Sequence, residues 1–171
     1  KRSGKRCLAV GTDCSVGKMY TPLAMEKEML SRNMNVSFRA TGQTGIFIAG
    51  TGVSVDAVVS DFISGAVEQI CPDNDPDHWD LVEGQGSLFH PSFAGVTLGL
   101  THGAQPDALV LCHEPTRTHM RGLPDQPLPD LKTCMEVNLA AARLTNAAAK
   151  FIGVAINTSN LESNKAETYL A

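Results

Sequence analysis

The sequence predicts an α/β fold, a parallel sheet with helices on both faces. Three observations predict it. Short apolar runs alternate with helix-like segments along the 171 residues. The runs are continuously apolar rather than alternating, as strands covered on both faces are. The glycine-rich stretch GTDCSVGK, Gly11–Lys18, follows the first run directly and leads into a helical segment. In such sheets ligands bind beyond the carboxyl ends of the strands.

Each element follows from its residues. RCLAVG (6–11) is a short buried strand. Residues 17–32 read as a helix, with Leu23, Met25, Met29 and Leu30 apolar and Glu26, Lys27 and Glu28 solvated. Pro22 fits only in its first turn. NVSFRATG (35–42) is a second strand and its loop. SVDAVVSDFISGAVEQI (54–70) reads as one helix capped by Ser54. After the loop CPDNDPDH comes a third strand, WDLVEGQGS, ending in a Gly-rich turn. VTLGLTHGAQ (96–105) is a short helix and loop. DALVLCHEP is a fourth strand, followed by a long polar loop through LPDQPLPD. Residues 130–149 form an Ala-rich helix, KFIGVAINTS a fifth strand, and SNKAETYLA a last helix. The segments richest in Gly, Thr, His and Arg are 11–18, 39–45, 83–90 and 113–121. All four fall at carboxyl ends of strands.

Composition narrows the function. The chain is 43% hydrophobic and 19% charged, ordinary for a globular domain with a real core. Its net charge of -4 argues against nucleic-acid binding, which wants a basic face. No apolar run approaches the roughly 18 residues of a membrane span, and no signal peptide is visible. The five cysteines are scattered without a CxxC pair. They read as reduced thiols of a cytoplasmic protein. The start lacks Met and opens directly onto a strand, so a domain of a longer protein is expected. A homo-oligomer is expected as well.

The chemistry begins at Gly11–Lys18. The pattern G-x-x-x-x-G-K between strand and helix is a phosphate-binding loop, and it makes the expected fold P-loop NTPase-like. Its backbone N–H groups, from Gly11, Thr12, Asp13, Cys14, Ser15, Val16, Gly17 and Lys18, would cradle a phosphate. Lys18 adds a point charge. The next position normally carries the hydroxyl that ligates Mg²⁺, and here it is Met19. A thioether cannot hold a hard cation. Thr21 lies about 200° around the helix from Met19 and cannot replace the hydroxyl. Phosphate binding therefore survives, while ATP chemistry with Mg²⁺ is weakened. Asp13 and Glu83 are the groups left to hold a metal. No metal-binding spacing such as HExxH occurs, so no metal site is expected. Glu83, ending the third strand, reads as general base or metal ligand, or as a carboxylate that pairs with Lys18 or caps its turn. Asp56 and Asp61 interrupt an apolar segment. Asn157, ending the fifth strand, is placed to meet the base of a bound nucleotide.

Two resemblances sharpen this. GTDCSVGK, FRATGQTG and LVEGQGSL together resemble the dethiobiotin synthetase and cobyrinic-acid amidase branch of P-loop proteins. The matching positions are Gly11–Lys18, Arg39 with Thr41 and Gly42, and Glu83–Gly86. That branch implies an ATP- and Mg²⁺-dependent ligase or synthetase, and Met19 departs from its pattern. A closer resemblance covers nearly the whole chain. ATGQTGIFIAGTGVSVDAVVSDFISGAVE, EGQGSLFHPSFAGVTLGLTHGAQPDALVLCHEPTR and VAINTSNL resemble a P-loop family that includes D-glutamate N-acetyltransferases. That resemblance implies acetyl transfer from acetyl-CoA to the amine of a D-amino acid, in D-amino acid catabolism. It also implies a smaller α/β domain N-terminal to this one.

On that resemblance the P-loop would hold the phosphates of coenzyme A without a catalytic metal. Glu83 or a histidine would deprotonate the amine. His113 is the chosen histidine, with His90 and His102 also in strand-edge segments. Gln43 would donate to the oxyanion. Arg39, Thr41 and Arg117 would bind substrate, the arginines gripping its carboxylates. A nucleotide-binding module without turnover is the third reading.

Overall fold

The structure, a computed structural model, describes residues 2–170. Lys1 and Ala171, the ends of the expected domain, lie outside the described residues. The strands in chain order are β1 (Lys5–Gly11), β2 (Val36–Arg39), β3 (Trp79–Val82), β4 (Ala108–His113), β5 (His119–Met120), β6 (Leu123–Pro127) and β7 (Lys150–Ile156). The helices are α1 (Tyr20–Ser31), α2 (Gln43–Ala49), α3 (Ile63–Ile70), α4 (Ala94–Ala104), α5 (Leu131–Arg143) and α6 (Ser163–Leu170).

Five strands form one parallel sheet in the order β2-β3-β1-β4-β7, as the apolar runs predict. The chain leaves β1 for the edge strand β2 and returns to β3 beside β1. It then crosses to β4 on the other flank. The loop after β1 thus opens where the winding reverses, the place such sheets use for ligands.

Alternate residues of the strands supply the two cores. On one face Leu8, Val10, Val82, Leu109 and Leu111 pack with Val67, Leu100 and Cys134 from α3, α4 and α5. On the other face Cys7, Val36, Leu81 and Val110 meet Met25 and Met29 of α1. β4 is buried along its whole length. All five cysteines are free thiols.

Several boundaries differ from expectation. The first helix starts at Tyr20 rather than Gly17, because Gly17 sits at φ +109 inside the loop. Pro22 does fall in the first turn. Segment 43–49, to which the sequence pattern assigns no element, is the helix α2. The expected single helix 54–70 is two short 3-10 turns, Val55–Ala57 and Ser60–Phe62, before α3 begins at Ile63. Val53 and Val55 donate their N–H groups to the carbonyls of Ala40 and Thr41, at 3.2 and 3.0 Å. Those bonds draw the segment along the end of β2 and out of helix. Ser54 caps nothing; its hydroxyl donates to Asp56 Oδ1 at 2.6 Å. The helix expected over 130–149 stops at Arg143, and Asp130 caps it by accepting from Thr133 N–H at 2.9 Å. α4 is longer than expected and starts at Ala94. The polar loop after β4 contains the antiparallel hairpin β5–β6.

Leu109 is wholly buried at the centre of β4. Leu109→Ala should cost about 3 kcal/mol in urea unfolding, and a loss under about 1 kcal/mol would contradict this packing.

Candidate functional site

The ladder of β1 continues one step past the strand, with Thr12 N–H on the Cys112 carbonyl at 3.1 Å. The chain then curls. Ser15 (φ 54) and Gly17 (φ 109) occupy left-handed backbone, which turns successive N–H groups toward a common centre. Lys18 follows, only 6% exposed, and its ammonium donates to the Asp13 carbonyl at 2.6 Å. Burial pulls its pKa down, against the attraction of nearby anionic groups. The end of β3 crosses hard against β1, so that a β-carbon on Gly84 would overlap the Ala9 carbonyl.

Asp13 points into the protein and is fully buried. Its Oδ2 accepts from Arg117 Nη1 and from the Arg121 backbone N–H, both at 2.7 Å. Arg117 also donates to the Cys14 carbonyl at 2.5 Å and to the Ser15 carbonyl at 3.4 Å. Arg121 donates a guanidinium N–H to the Ser15 hydroxyl. The segment leading into and around the β5–β6 hairpin is thereby fastened to the phosphate loop. Asp13 Oδ1 is buried with no protein partner.

Glu83 is 4% exposed at the end of β3. One carboxylate oxygen accepts from the N–H groups of Thr41 at 2.9 Å and Gly42 at 3.0 Å, anchoring the chain where α2 begins. Thr41 returns its hydroxyl to the Glu83 carbonyl at 2.7 Å, and Gln85 Nε2 donates to that hydroxyl at 3.2 Å. Gly45 is required here, because a β-carbon would overlap the Glu83 carboxylate. Burial raises the Glu83 pKa, and the hydrogen bonds and Lys18 offset it only in part. His113 Nδ1 lies 3.0 Å from Thr12 Oγ1, behind the loop. Burial lowers its pKa, partly opposed by Glu114, which favours the neutral ring.

A cavity of about 560 Å³ opens over these groups. Lys18, Met19, Glu83, Gln85, Arg121 and Asn157 line it, with Tyr20, Phe93 and Val96 as an apolar wall and Asp56 also on the lining. Of the residues singled out in the sequence, Cys14, Ser15, Gly17, Lys18, Met19, Asp56, Glu83 and Asn157 face this cavity. Thr41 and His113 sit just behind it, tied to Glu83 and Thr12. Asn157 also accepts from Ser159 N–H at 3.1 Å, a turn role beside the cavity role.

Other candidates lie elsewhere. Arg39 does not reach the lining; its Nε donates to Asp80 at 2.6 Å, back along the sheet. Gln43 is exposed at the start of α2, outside the cavity lining. Arg117 is committed to Asp13 and the loop carbonyls rather than free for a substrate carboxylate. His102 belongs to the last turn of α4, on the approach to the amino end of β4 and away from the phosphate loop. Asp61 is exposed, away from the lining. The cavity side chains not singled out are Arg121, Gln85, Tyr20, Phe93 and Val96. Only the first two carried a signal, as polar side chains in segments already marked.

Asp13, Cys14 and His90 each bring one ligand atom within 4.8 Å of the others. His90 Nδ1 accepts from Ser92 N–H at 3.2 Å, so its Nε2 carries the proton and donates to the Arg121 carbonyl at 3.1 Å. Both ring nitrogens are occupied, and the Arg117 guanidinium is paired with Asp13. The cluster is a poor cation site.

A parallel sheet with this loop at its winding reversal defines a P-loop α/β protein. The model of the DUF1611 P-loop domain, described as a domain of unknown function, matches residues 1–171, and the chain belongs to that family. A D-glutamate N-acetyltransferase of Tritonibacter scottomollicae is 61% identical over 99% of this chain and 51% of its own length. Another from a Pseudoalteromonas species is 60% identical over 94% of this chain and 48% of its length. The chain thus spans about half the length of the curated relatives it matches. The crystal structure of a DUF1611 family protein from Anabaena variabilis superposes with TM-score 0.89 at 38% identity, covering 96% of this chain and 48% of that one. Cobyrinic acid a,c-diamide synthase from Mycobacterium smegmatis, solved with ADP and magnesium, shares the fold at TM-score 0.60 and 10% identity, over 98% of this chain and 80% of that one. No helix among the described residues is long and apolar enough to cross a membrane.

Two outcomes follow. Arg117→Ala leaves Asp13 buried without its counter-charge and should cost about 3 kcal/mol in chemical unfolding, much of it recovered by adding Asp13→Asn. Glu83 has a raised pKa in the folded state, so its stabilising protonated form is present at low pH and lost as pH rises through that pKa. Glu83→Gln should therefore gain more in melting temperature over wild type at about pH 8 than at about pH 4.

Proposed function

We propose that this domain is the coenzyme-binding half of an N-acetyltransferase that moves acetyl from acetyl-CoA to the amine of D-glutamate. The observation that carries the reading is the phosphate loop itself. Its backbone curl and buried Lys18 are intact, while the position that would ligate Mg²⁺ is Met19 on the cavity wall. Acetyl transfer needs a phosphate grip and no phosphoryl chemistry. The apolar wall of Met19, Tyr20, Phe93 and Val96 beside that grip suits a ligand with a phosphate head and a long, weakly polar arm. The names of the two curated relatives support the substrate and the reaction.

The coenzyme supplies an activated thioester. In the transfer a bond forms from the amine nitrogen to the acetyl carbon, the carbon–sulfur bond breaks, and the amine proton ends on the departing thiolate. Glu83 is the proton carrier in this reading. Burial raises its pKa, which makes it a stronger base than an exposed carboxylate. Glu83 also neighbours Lys18, so a coenzyme held by the loop would have to bring its thioester back beside the phosphate grip for Glu83 to serve. Arg39 and Arg117 are held by Asp80 and Asp13, so the acceptor's carboxylates are met by groups outside that pair. The part of the protein beyond this domain is the natural source of them.

The test is free-thiol release by the full-length protein with acetyl-CoA and a panel of D- and L-amino acids, beside ADP release from MgATP. D-glutamate-dependent thiol release is expected. Mg²⁺-dependent ADP release without it would support the ligase reading instead. Lys18→Ala should raise the KM for acetyl-CoA about tenfold or more. Glu83→Gln should lower kcat about 100-fold.

A further inference from the structure

The pocket contains a cation that the loop motif does not include. Arg121 stands at the turn between β5 and β6, followed by Gly122 at φ 79. Its main chain is pinned on both sides. The N–H donates to buried Asp13 at 2.7 Å, and the carbonyl accepts from His90 Nε2 at 3.1 Å. Only the side chain is left free to choose a partner, and it lies on the cavity wall with its guanidinium on the Ser15 hydroxyl of the phosphate loop.

The charges around it are already paired. Arg117 neutralises Asp13 from inside. Lys18 lies beside Glu83 on the lining and donates to the Asp13 carbonyl. Of the two cations that line the cavity among the described residues, Lys18 is turned onto the Asp13 carbonyl, and Arg121 is in no ion pair and meets only the Ser15 hydroxyl. Met19 removes the usual place for a divalent ion, which would otherwise offset the charge of a bound phosphate. A guanidinium fork does the same work with directed hydrogen bonds and no metal.

We propose that Arg121 is a phosphate-binding residue that takes the place of Mg²⁺ in this loop, delivered by the β5–β6 hairpin. The inference rests on the reading above only in that the loop holds a phosphate. It assigns Arg121 to the ligand's phosphate oxygens, with Ser15 as the partner that holds the guanidinium when no phosphate is there.

Calorimetric titration of the full-length protein with CoA and with ADP, each in EDTA and in Mg²⁺, tests it. Wild type is expected to bind CoA equally well in both media. Arg121→Ala should weaken that binding about tenfold or more. Arg121→Lys, which keeps the charge and loses the fork, should fall between. Adding Met19→Thr to Arg121→Ala should restore binding in Mg²⁺ and not in EDTA, a signature that a merely structural arginine would not give. Unchanged CoA affinity in Arg121→Ala overturns the proposal. So does wild-type binding that requires Mg²⁺, a double variant indifferent to Mg²⁺, or binding of neither ligand. ADP binding without CoA binding would end the acetyl-CoA reading alone. ADP affinity in EDTA, compared between wild type and Arg121→Ala, would then decide the role of Arg121 by the same criteria.

Discussion

A carboxylate buried inside an anion-binding loop is the constraint around which this site is organised. Asp13 occupies the middle of the phosphate loop and is turned inward, fully buried. An unpaired charge there would cost several kcal/mol, on the order of what a whole small domain has in reserve. The fold answers with Arg117, whose guanidinium reaches Asp13 and two loop carbonyls together. That contact fixes the segment after β4 over the loop. The Arg121 backbone N–H on the same carboxylate then fixes the hairpin turn. One buried charge thus sets the position of a second strand pair and of a second cation.

The opposite wall depends on a comparable device. Glu83 ends β3 and accepts the N–H groups of Thr41 and Gly42, so a strand end and a helix start are joined by one carboxylate. The bonds hold Glu83 in place, and the burial they require is what raises its pKa. Positioning and proton affinity have the same cause. Glycine at 45 and 84 lets the three chain segments approach closely enough for this. Without it, Glu83 would stand away from Lys18 and the cavity would lose its polar floor.

The sheet, its parallel sense and the loop at its centre were legible because each is written locally. Continuous apolar runs mark buried strands, and the loop motif lies within eight consecutive residues. What was not legible depends on partners far apart in the chain. α2 is anchored by Glu83, some forty positions away, so FRATGQTG shows glycines and no cap. Residues 53–55 are held off the helical path because the chain just past β2 takes the N–H groups of Val53 and Val55, which no periodicity records. Arg39 is a strand-end arginine by sequence. The register sets Ser37 opposite Asp80 and Arg39 opposite Val82, on one face of the sheet, so the guanidinium folds back to Asp80. Arg117 and Arg121 differ by four positions in one polar segment. Only the fold separates the one that holds the loop from the one that faces the cavity.

That separation bears on what a P-loop can become. The motif is usually read as a unit of backbone, lysine and metal-binding hydroxyl. Here the backbone and lysine persist, and the hydroxyl's position carries a thioether that widens the apolar wall. A loop so altered lacks the hydroxyl that usually helps hold the ion polarising a phosphoryl group for attack. It keeps the means to grip a phosphate that takes no part in bond breaking. On the proposed reading the chemistry occurs elsewhere on the ligand, at an atom other than the gripped phosphate. A coenzyme whose phosphates are a handle and whose reactive atom is remote satisfies both conditions. A nucleoside triphosphate, reacting at the phosphate that is gripped, satisfies only the first.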